Sequence, residues 1–238
     1  MLLFYIRHGD PIYNPDSLTP QGQLQAAALA KRFGMYGLDK VFTSDSTRAK
    51  MTAQPTCELL GITPTELPWI NENRAWENLC VFYEDGRREY VFEDPDTRAL
   101  FASHEVASLG YDWGTHAAFK DSGFPETLRG IQADSDAFFA SLGYRRDPEK
   151  HAYIPEHHTE ERVAVFAHQA MGLAFLSCVL DIPYPQFSSR FDIGHSGMTV
   201  IEFKPRNGIV IPRMLQLSND SHLYREGLPT RYHNRLRF

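Results

Sequence analysis

Short runs of apolar or β-branched residues occur at three places along the chain, and loop residues bound each of them. They are residues 2–6, 41–43 and 163–167. After each run, apolar residues recur at the spacing of a helix that buries one face. Unbroken apolar runs are typical of parallel strands that helices cover on both sides. The alternation of strand and helix therefore predicts an α/β fold with a parallel sheet.

Local signals predict where the helices begin and end. Thr19 followed by Pro20 is a typical start, because a threonine side chain caps the first turn and proline fits the first helical position. Residues 44–46 (SDS) predict the start of the next helix, and Gly61 ends it. Pro183 ends the helix that follows the third apolar run.

The middle of the chain has a different pattern. From about residue 72 to residue 153 no clear strand pattern is visible, and charged residues alternate with aromatic ones. Residues 131–142 have the spacing of one amphipathic helix. We therefore expect this stretch to consist mostly of helices and loops that form a cap over the sheet. The alternative is an extra helical layer packed on the sheet.

Strand patterns return at residues 198–203 and 209–217. The whole pattern predicts a three-layer α/β fold, in which helices flank a mostly parallel sheet and a cap of helices and loops is inserted. We expect a single domain over residues 1–238, with the cap insertion at residues 73–155.

Composition narrows the classes of protein. The chain has 238 residues, of which 42% are hydrophobic and 23% charged, so it can bury a substantial core. These values exclude a disordered chain, a coiled coil and a disulfide-stapled miniprotein. The net charge is −6, from 24 basic and 30 acidic residues. This balance argues against a broad nucleic-acid-binding surface, which needs excess positive charge.

The cysteines and the N-terminus bear on the compartment. Cys57, Cys80 and Cys178 are widely spaced and form no Cys-x-x-Cys motif, so we expect buried free thiols rather than disulfides or a metal cluster. The apolar start of the chain meets Arg7 and His8 too soon for a signal peptide. No apolar run approaches the roughly 20 residues of a membrane helix. We therefore expect a cytoplasmic protein without membrane association.

Two histidines and two arginines lie where the fold predicts a ligand site. His8 follows the first strand, His168 follows the third, Arg7 precedes His8, and Arg48 lies in the first turn after the second strand. Ligands of open α/β sheets bind outside the carboxyl ends of the strands. Guanidinium groups and a helix N-terminus suit an oxyanion, and a neutral imidazole is a nucleophile. Taken singly, each residue has a structural alternative: a hydrogen-bonded structural histidine, or an exposed helix arginine.

Six segments together resemble the histidine phosphatase superfamily, also called the phosphoglycerate mutase-like family. They follow one another in the family's order and span both ends of the chain, while the insertion is poorly covered. The segments are residues 3–10 (LFYIRHGD), 18–26 (LTPQGQLQA), 43–53 (TSDSTRAKMTA), 70–77 (INENRAWE), 163–171 (VAVFAHQAM) and 217–223 (LSNDSHL).

The resemblance implies a role for each matched residue. His8 would attack phosphorus and become phosphohistidine. Arg7, Arg48 and His168 would hold the phosphoryl oxygens, and His168 would also take part in catalysis. Glu72 would protonate the leaving oxygen and then deprotonate water, which requires a raised pKa or a proton carried by the substrate. Glu77 and Glu126 are rival candidates for this acid.

Several positions depart from the family pattern. Gln169 and Ala170 follow His168 where two glycines are common, and Asp10 stands where glutamate is usual. The longer loop of a phosphoglycerate mutase is missing after Gly9, which favours a phosphatase. We name Asn14, Gln169 and His195 as candidate pocket residues, with a structural cap as the alternative for His195.

A histidine-rich loop raises the question of a metal. His151, His157 and His158 lie near acidic residues, but their spacing fits no strong ligand template. We interpret this stretch as a solvated loop and expect no metal and no cofactor.

The leading hypothesis is a metal-independent phosphomonoesterase for a small phosphorylated metabolite. A mutase-type phosphotransferase, a non-catalytic phospho-ligand binding module and a purely structural interaction protein are the alternatives. The sequence leaves the substrate and the oligomeric state, including a homo-oligomer, open.

Overall fold

A computed structural model describes residues 1–157, 159–230 and 232. Its strands alternate with helices at both ends of the chain. The strands are β1 (Leu2–Arg7), β2 (Pro11–Tyr13), β3 (Asp16–Leu18), β4 (Lys40–Thr43), β5 (Thr65–Glu66), β6 (Cys80–Phe82), β7 (Arg88–Tyr90), β8 (Tyr144–Asp147), β9 (Ala152–Pro155), β10 (Arg162–Ala167), β11 (Met198–Glu202) and β12 (Arg213–Asn219). The α-helices are α1 (Pro20–Tyr36), α2 (Thr47–Leu60), α3 (Glu72–Asn78), α4 (Pro95–Ala102), α5 (His104–Ala107), α6 (Phe124–Ser141), α7 (Ala170–Leu180), α8 (Tyr184–Ser188) and α9 (Ser221–Arg225).

Within the described residues, six strands form the central sheet, in the order β12-β11-β1-β10-β4-β5. The pairs β1–β10, β10–β4 and β4–β5 are parallel, whereas the pairs β1–β11 and β11–β12 at one edge are antiparallel. The predicted α/β fold with a mostly parallel sheet is therefore confirmed. The parallel pairs place the carboxyl ends of β1, β10 and β4 side by side.

Both faces of the sheet are covered, which explains the unbroken apolar runs. Leu3 and Tyr5 of β1 belong to one hydrophobic cluster, which includes residues of α6 and α7. Phe4 and Ile6 belong to another cluster, which includes residues of α1 and α2. Successive strand residues point to opposite faces, so a strand buried on both sides needs apolar residues at every position.

The capping residues act as the sequence predicts. The Thr19 hydroxyl accepts a hydrogen bond from the Gly22 amide at 3.0 Å and begins α1. The Ser46 hydroxyl accepts from the Ala49 amide at 3.3 Å and begins α2. Gly61 ends α2 in the left-handed region, at φ 67°, where glycine has no steric penalty.

The prediction that the middle of the chain is mostly helices and loops missed two β-hairpins. β6 pairs with β7 and β8 pairs with β9, each antiparallel and only three or four residues long. Strands this short are too brief for the period-2 pattern to stand out. Residues of this stretch, among them Phe101, Trp113 and Phe139, share the cluster that covers one face of the sheet. The division into one domain with a cap at 73–155 stays a prediction.

Two element boundaries differ from expectation. Helix α6 begins at Phe124, seven residues before the predicted start, because Pro125 occupies its first turn. The last strand begins at Arg213 rather than at Ile209, because Pro212 has no amide hydrogen to donate to the sheet. None of the described helices is both long and apolar enough to cross a membrane. Among the described residues all three cysteines are buried free thiols.

Candidate active site

The two predicted histidines meet at the carboxyl edge of the sheet. β1 ends at Arg7 and its parallel neighbour β10 ends at Ala167, so His8 and His168 leave the sheet next to each other. The His8 amide donates to the Ala167 carbonyl at 2.9 Å. The imidazole ring centroids lie 5.3 Å apart, and both side chains are buried.

Hydrogen bonding fixes the tautomer of His8. Its Nδ1 lies 2.8 Å from the Gly9 carbonyl oxygen, which only accepts, so Nδ1 carries the hydrogen and Nε2 keeps its lone pair. Burial, followed by the neighbouring His168 and Arg7, lowers the pKa of His8 well below its ordinary value. The ring is therefore neutral at pH 7, and Nε2 is available as a nucleophile.

The loop that carries His8 packs tightly against α1. A Cβ atom on Gly9 would lie 2.8 Å from the Gly22 carbonyl oxygen, which explains why glycine follows the histidine. The Gly9 amide donates to the Thr52 hydroxyl at 3.0 Å. These contacts hold the His8 backbone in place.

His168 is also held in one tautomer. Arg48 Nη2 lies 3.1 Å from Nδ1, and a guanidinium only donates, so Nδ1 accepts. Nε2 then carries the hydrogen and donates to the Ser44 hydroxyl at 2.8 Å. Burial, then Arg48 and Arg7, lower the pKa of His168 well below its ordinary value. His168 is not among the cavity-lining residues of the described structure; both of its ring nitrogens are bonded, and it orients Arg48.

An aspartate that the sequence reasoning missed anchors Arg48. The Asp16 carboxylate accepts from Arg48 Nη1 at 2.8 Å and from the Thr47 amide at 2.7 Å. The Arg48 side chain is 11% exposed. Asp16 thus caps α2 and fixes the guanidinium with one group. The sequence around Asp16 gave no signal of this role, because the contact joins residues 32 positions apart.

Arg7 is buried and bridges to the other predicted histidine. Its Nη1 donates to the Ile193 carbonyl at 2.7 Å and its Nη2 donates to His195 Nε2 at 2.8 Å. His195 lies beside His8, with ring centroids 5.5 Å apart. His195 Nδ1 lies 3.7 Å from an Asp10 carboxylate oxygen. His195 thus contacts Arg7 and lies beside His8, but among the described residues it lines a separate cavity and not the one that contains His8 and Glu72.

Glu72 binds the start of helix α7. Its carboxylate accepts from the amides of Ala170 and Met171, each at 3.0 Å. Burial raises the pKa of this carboxyl, while the two backbone hydrogen bonds and Arg7 oppose the rise without cancelling it. A carboxyl that holds its proton more tightly than usual is suited to act as an acid.

A cavity of about 510 Å³ contains the candidate residues. Among the described residues, its lining consists of Arg7, His8, Tyr13, Arg48, Glu72, Asn73, Trp76, Tyr90 and Gln169. The volume lies within the roughly 300–1,000 Å³ of small-molecule sites. The three aromatic side chains and Asn73 were missed. The aromatic enrichment of the insertion was an available signal for Trp76 and Tyr90 only.

The remaining candidates lie in different places. Gln169 lines the cavity, and its Nε2 donates to Asp192 at 2.6 Å. Asn14 is exposed in the turn between β2 and β3 and does not line the cavity, although its neighbour Tyr13 does. Glu77 lines a separate cavity of about 520 Å³. Glu126 is exposed and pairs with Arg129. Of the three candidate acids, the structure brings Glu72 to the cavity.

The two described histidines of the histidine-rich loop lie in different places. His151 bonds Asp181 and stacks on Tyr111, with ring centroids 4.9 Å apart. His157 packs beside Gly143, and His158 lies outside the described residues. The described residues contain no group of three or more metal-ligating side chains.

Residues 3–98 match the model of the histidine phosphatase superfamily (branch 1). This match covers 96 of the 238 residues, so the first two fifths of the chain resemble this superfamily. The matched stretch includes the His8 loop, Arg48 and Glu72, whereas His168 lies beyond it. No curated protein sequence matches the chain.

Solved structures of phosphatases share the fold. A phosphoserine phosphatase mutant from Entamoeba histolytica, in complex with phosphoserine, has a TM-score of 0.60 and 18% identity over 93% of this chain and 98% of its own. A mycobacterial glucosyl-3-phosphoglycerate phosphatase has a TM-score of 0.55 and 17% identity, with coverage of 93% and 98%. A protein described as a putative alpha-ribazole-5'-P phosphatase from Escherichia coli has a TM-score of 0.56 and 18% identity, with coverage of 92% and 98%. At these identities the likeness establishes the fold and not the activity.

Proposed function

We propose that the chain is a phosphomonoesterase that acts through a phosphohistidine on His8. One observation carries the proposal. The Gly9 carbonyl holds the hydrogen of His8 on Nδ1, so the lone pair of Nε2 is available in a cavity lined by Arg7, Arg48 and Glu72. A neutral nucleophile, two guanidinium groups and a carboxyl of raised pKa are the parts that phosphoryl transfer needs.

In the first step, His8 Nε2 attacks the phosphorus of the ester. The new N–P bond forms as the P–O bond to the alcohol breaks, and protonated Glu72 gives its proton to the leaving oxygen. Arg7 and Arg48 hold the other phosphoryl oxygens and balance their charge in the transition state. His168 acts through Arg48, because it accepts a hydrogen bond from that guanidinium.

In the second step, water replaces the histidine. The Glu72 carboxylate takes a proton from water as the water oxygen bonds to phosphorus and the N–P bond breaks. Inorganic phosphate leaves, Glu72 is protonated again, and His8 returns to its starting state. No metal ion enters either step.

Hydrolysis of a small aryl phosphate with the purified chain tests the proposal. We expect phosphate release that persists after treatment with a chelator, and a His8→Ala variant without activity. His104→Ala is the matched control, because His104 is exposed on α5 outside the cavity. When a brief reaction is stopped by denaturation at alkaline pH, phosphohistidine survives. We then expect to find phosphate bound to a peptide that contains His8.

The alternatives give different results. A mutase-type enzyme transfers phosphate between phosphoglycerate positions and depends on a bisphosphorylated primer. A binding module binds phosphate esters without turnover and without a trapped intermediate. Full activity in His8→Ala would overturn the mechanism.

A further inference from the structure

The wall of the cavity next to the phosphoryl-binding groups is aromatic. Tyr13, Trp76 and Tyr90 all line it. Trp76 and Tyr90 pack edge to face, with ring centroids 5.0 Å apart. The guanidinium of Arg88 lies over the Trp76 ring, 4.1 Å from its centroid. These contacts hold Trp76 and Tyr90 in position before a ligand binds, which favours packing against a flat group.

In the proposed reaction, the positively charged residues of the cavity all bind the phosphoryl group. Among the described lining residues, the permanent cations are Arg7 and Arg48. Both lie beside His8, and in the proposed reaction both hold the phosphoryl oxygens. Among these lining residues, a second anionic group on the ligand would meet aromatic rings, two amides and the carboxyl of Glu72; the Arg88 guanidinium is not in the lining and lies over the Trp76 ring. Leaving a carboxylate desolvated without a cation is costly, so the cavity disfavours a ligand that carries one.

The remaining polar groups of the lining are neutral. Asn73 and Gln169 contribute amide side chains. The Gln169 amide nitrogen donates to Asp192 at 2.6 Å, which leaves its oxygen as an acceptor. Amides of this kind bond hydroxyl groups and ring heteroatoms rather than balance a charge.

We infer that the preferred substrate is a phosphate monoester whose alcohol part is aromatic and uncharged, bound against Tyr13, Trp76 and Tyr90. This inference rests on the proposed function for its reaction, although the ligand preference can be measured without any reaction. The inferred preference differs from that of a phosphatase whose substrate carries a carboxylate, such as phosphoserine.

Turnover of a matched pair of esters tests the inference. Benzyl phosphate and phosphoserine are both phosphates of primary alcohols, so a difference between them reports mainly on the alcohol part. Each ring contact is worth a factor of about two to ten. We expect kcat/KM for benzyl phosphate to exceed that for phosphoserine by about tenfold or more. Equal values, or a preference for phosphoserine, would overturn the inference.

A wall variant links the preference to the aromatic side chains. In Trp76→Leu we expect the ratio of the two kcat/KM values to fall by about two- to tenfold. The ratio does not depend on the fraction of folded enzyme, so partial unfolding does not produce this result. Phe82→Leu is the matched control, because Phe82 is 66% exposed on the neighbouring strand β6 and does not line this cavity. A ratio unchanged in Trp76→Leu would contradict the assignment of the wall.

Binding of non-hydrolysable analogues separates the two proposals. Calorimetric titration with 2-phenylethylphosphonate and with 2-amino-4-phosphonobutyrate compares the same two alcohol parts without turnover. Tighter binding of the phenyl compound supports the aromatic site even if no ester is hydrolysed, in which case only the proposed reaction fails. If the esters are hydrolysed but neither assay shows a preference for the phenyl compound, the proposed reaction is supported and the aromatic site is refuted.

Discussion

Replacement of Glu72 by glutamine tests the proposed acid with a nearly isosteric side chain. Glutamine cannot donate the proton to the leaving oxygen, and a positioned general acid is worth about 10²–10⁴-fold, or roughly 3–5 kcal/mol of activation free energy. We expect kcat/KM to fall by that factor for an ester with a poor leaving group, such as benzyl phosphate. For nitrophenyl phosphate, whose leaving group departs as a stabilised anion, we expect a loss at least about tenfold smaller.

The decisive measurement is the difference between the losses of kcat/KM for the two esters. Glu72 also holds the amides of Ala170 and Met171, and a glutamine amide nitrogen would face one of them. This mismatch lowers the free energy of unfolding by about 1–3 kcal/mol. Any shift of α7 that it causes reduces kcat/KM by the same factor for both esters. Equal losses would therefore assign Glu72 a structural role and refute the reasoning. Glu126→Gln is the control, since Glu126 is exposed and pairs with Arg129.

The titration of Glu72 gives a check that does not need activity. Burial raises its pKa in the folded state, so the folded chain holds the proton above the unfolded pKa of about 4.3. The stability from this group is therefore complete below that pH and is lost as pH rises through the folded pKa. In urea denaturation, we expect wild-type protein to lose stability relative to Glu72→Gln as pH rises above about 4.3. A constant difference between the two proteins would contradict a raised pKa.

Three further outcomes are expected. Asp16→Asn weakens a charge-assisted hydrogen bond to Arg48 that is worth about 1.5–3 kcal/mol. We therefore expect kcat/KM to fall by about ten- to a hundredfold. An unchanged kcat/KM would show that Asp16 is not needed to position Arg48. Thr19→Ala removes the cap of α1 and should lower the free energy of unfolding by about 1 kcal/mol in urea. Burial lowers the pKa values of His8 and His168, so each histidine lowers the free energy of unfolding by roughly 1.4 kcal/mol per pH unit as pH falls below about 6.5, until its folded pKa is reached. Because Glu72 acts in the opposite direction, the check compares the stability of wild-type protein with that of His8→Gln in urea between pH 7 and pH 5. A difference that does not change with pH would contradict the lowered pKa of His8.

The local sequence was sufficient for strands β1, β4, β10 and β11 of the sheet and for the starts of helices α1 and α2, but not for β5 or the start of α6. Residues 2–6 of β1 and 163–167 of β10 form unbroken apolar runs because both faces of the sheet are covered. Thr19 and Ser46 cap helices through bonds to residues three positions away. Such signals depend on neighbours in the chain. The chain order of strands and helices then placed His8, His168 and Arg48 at one edge, because parallel strands share their carboxyl ends.

Contacts between distant residues supplied what the sequence could not. The tautomers of the two histidines depend on which atom meets the Gly9 carbonyl, Arg48 or Ser44. Asp16 reaches Arg48 across 32 positions, and His195 reaches Arg7 across 188. Side chains this far apart leave no periodic pattern, so their pairing is set only when the strands and helices pack.

The sequence by itself determined the α/β fold, the order of its main strands and helices and the identity of the groups at the sheet edge. The tertiary structure decided which carboxyl reaches the cavity and which aromatic residues form its wall. The physical reason is the range of the interactions. Strand and helix patterns arise within a few residues, whereas the cavity is built from β2, α3 and β7, whose meeting point depends on packing of the whole chain.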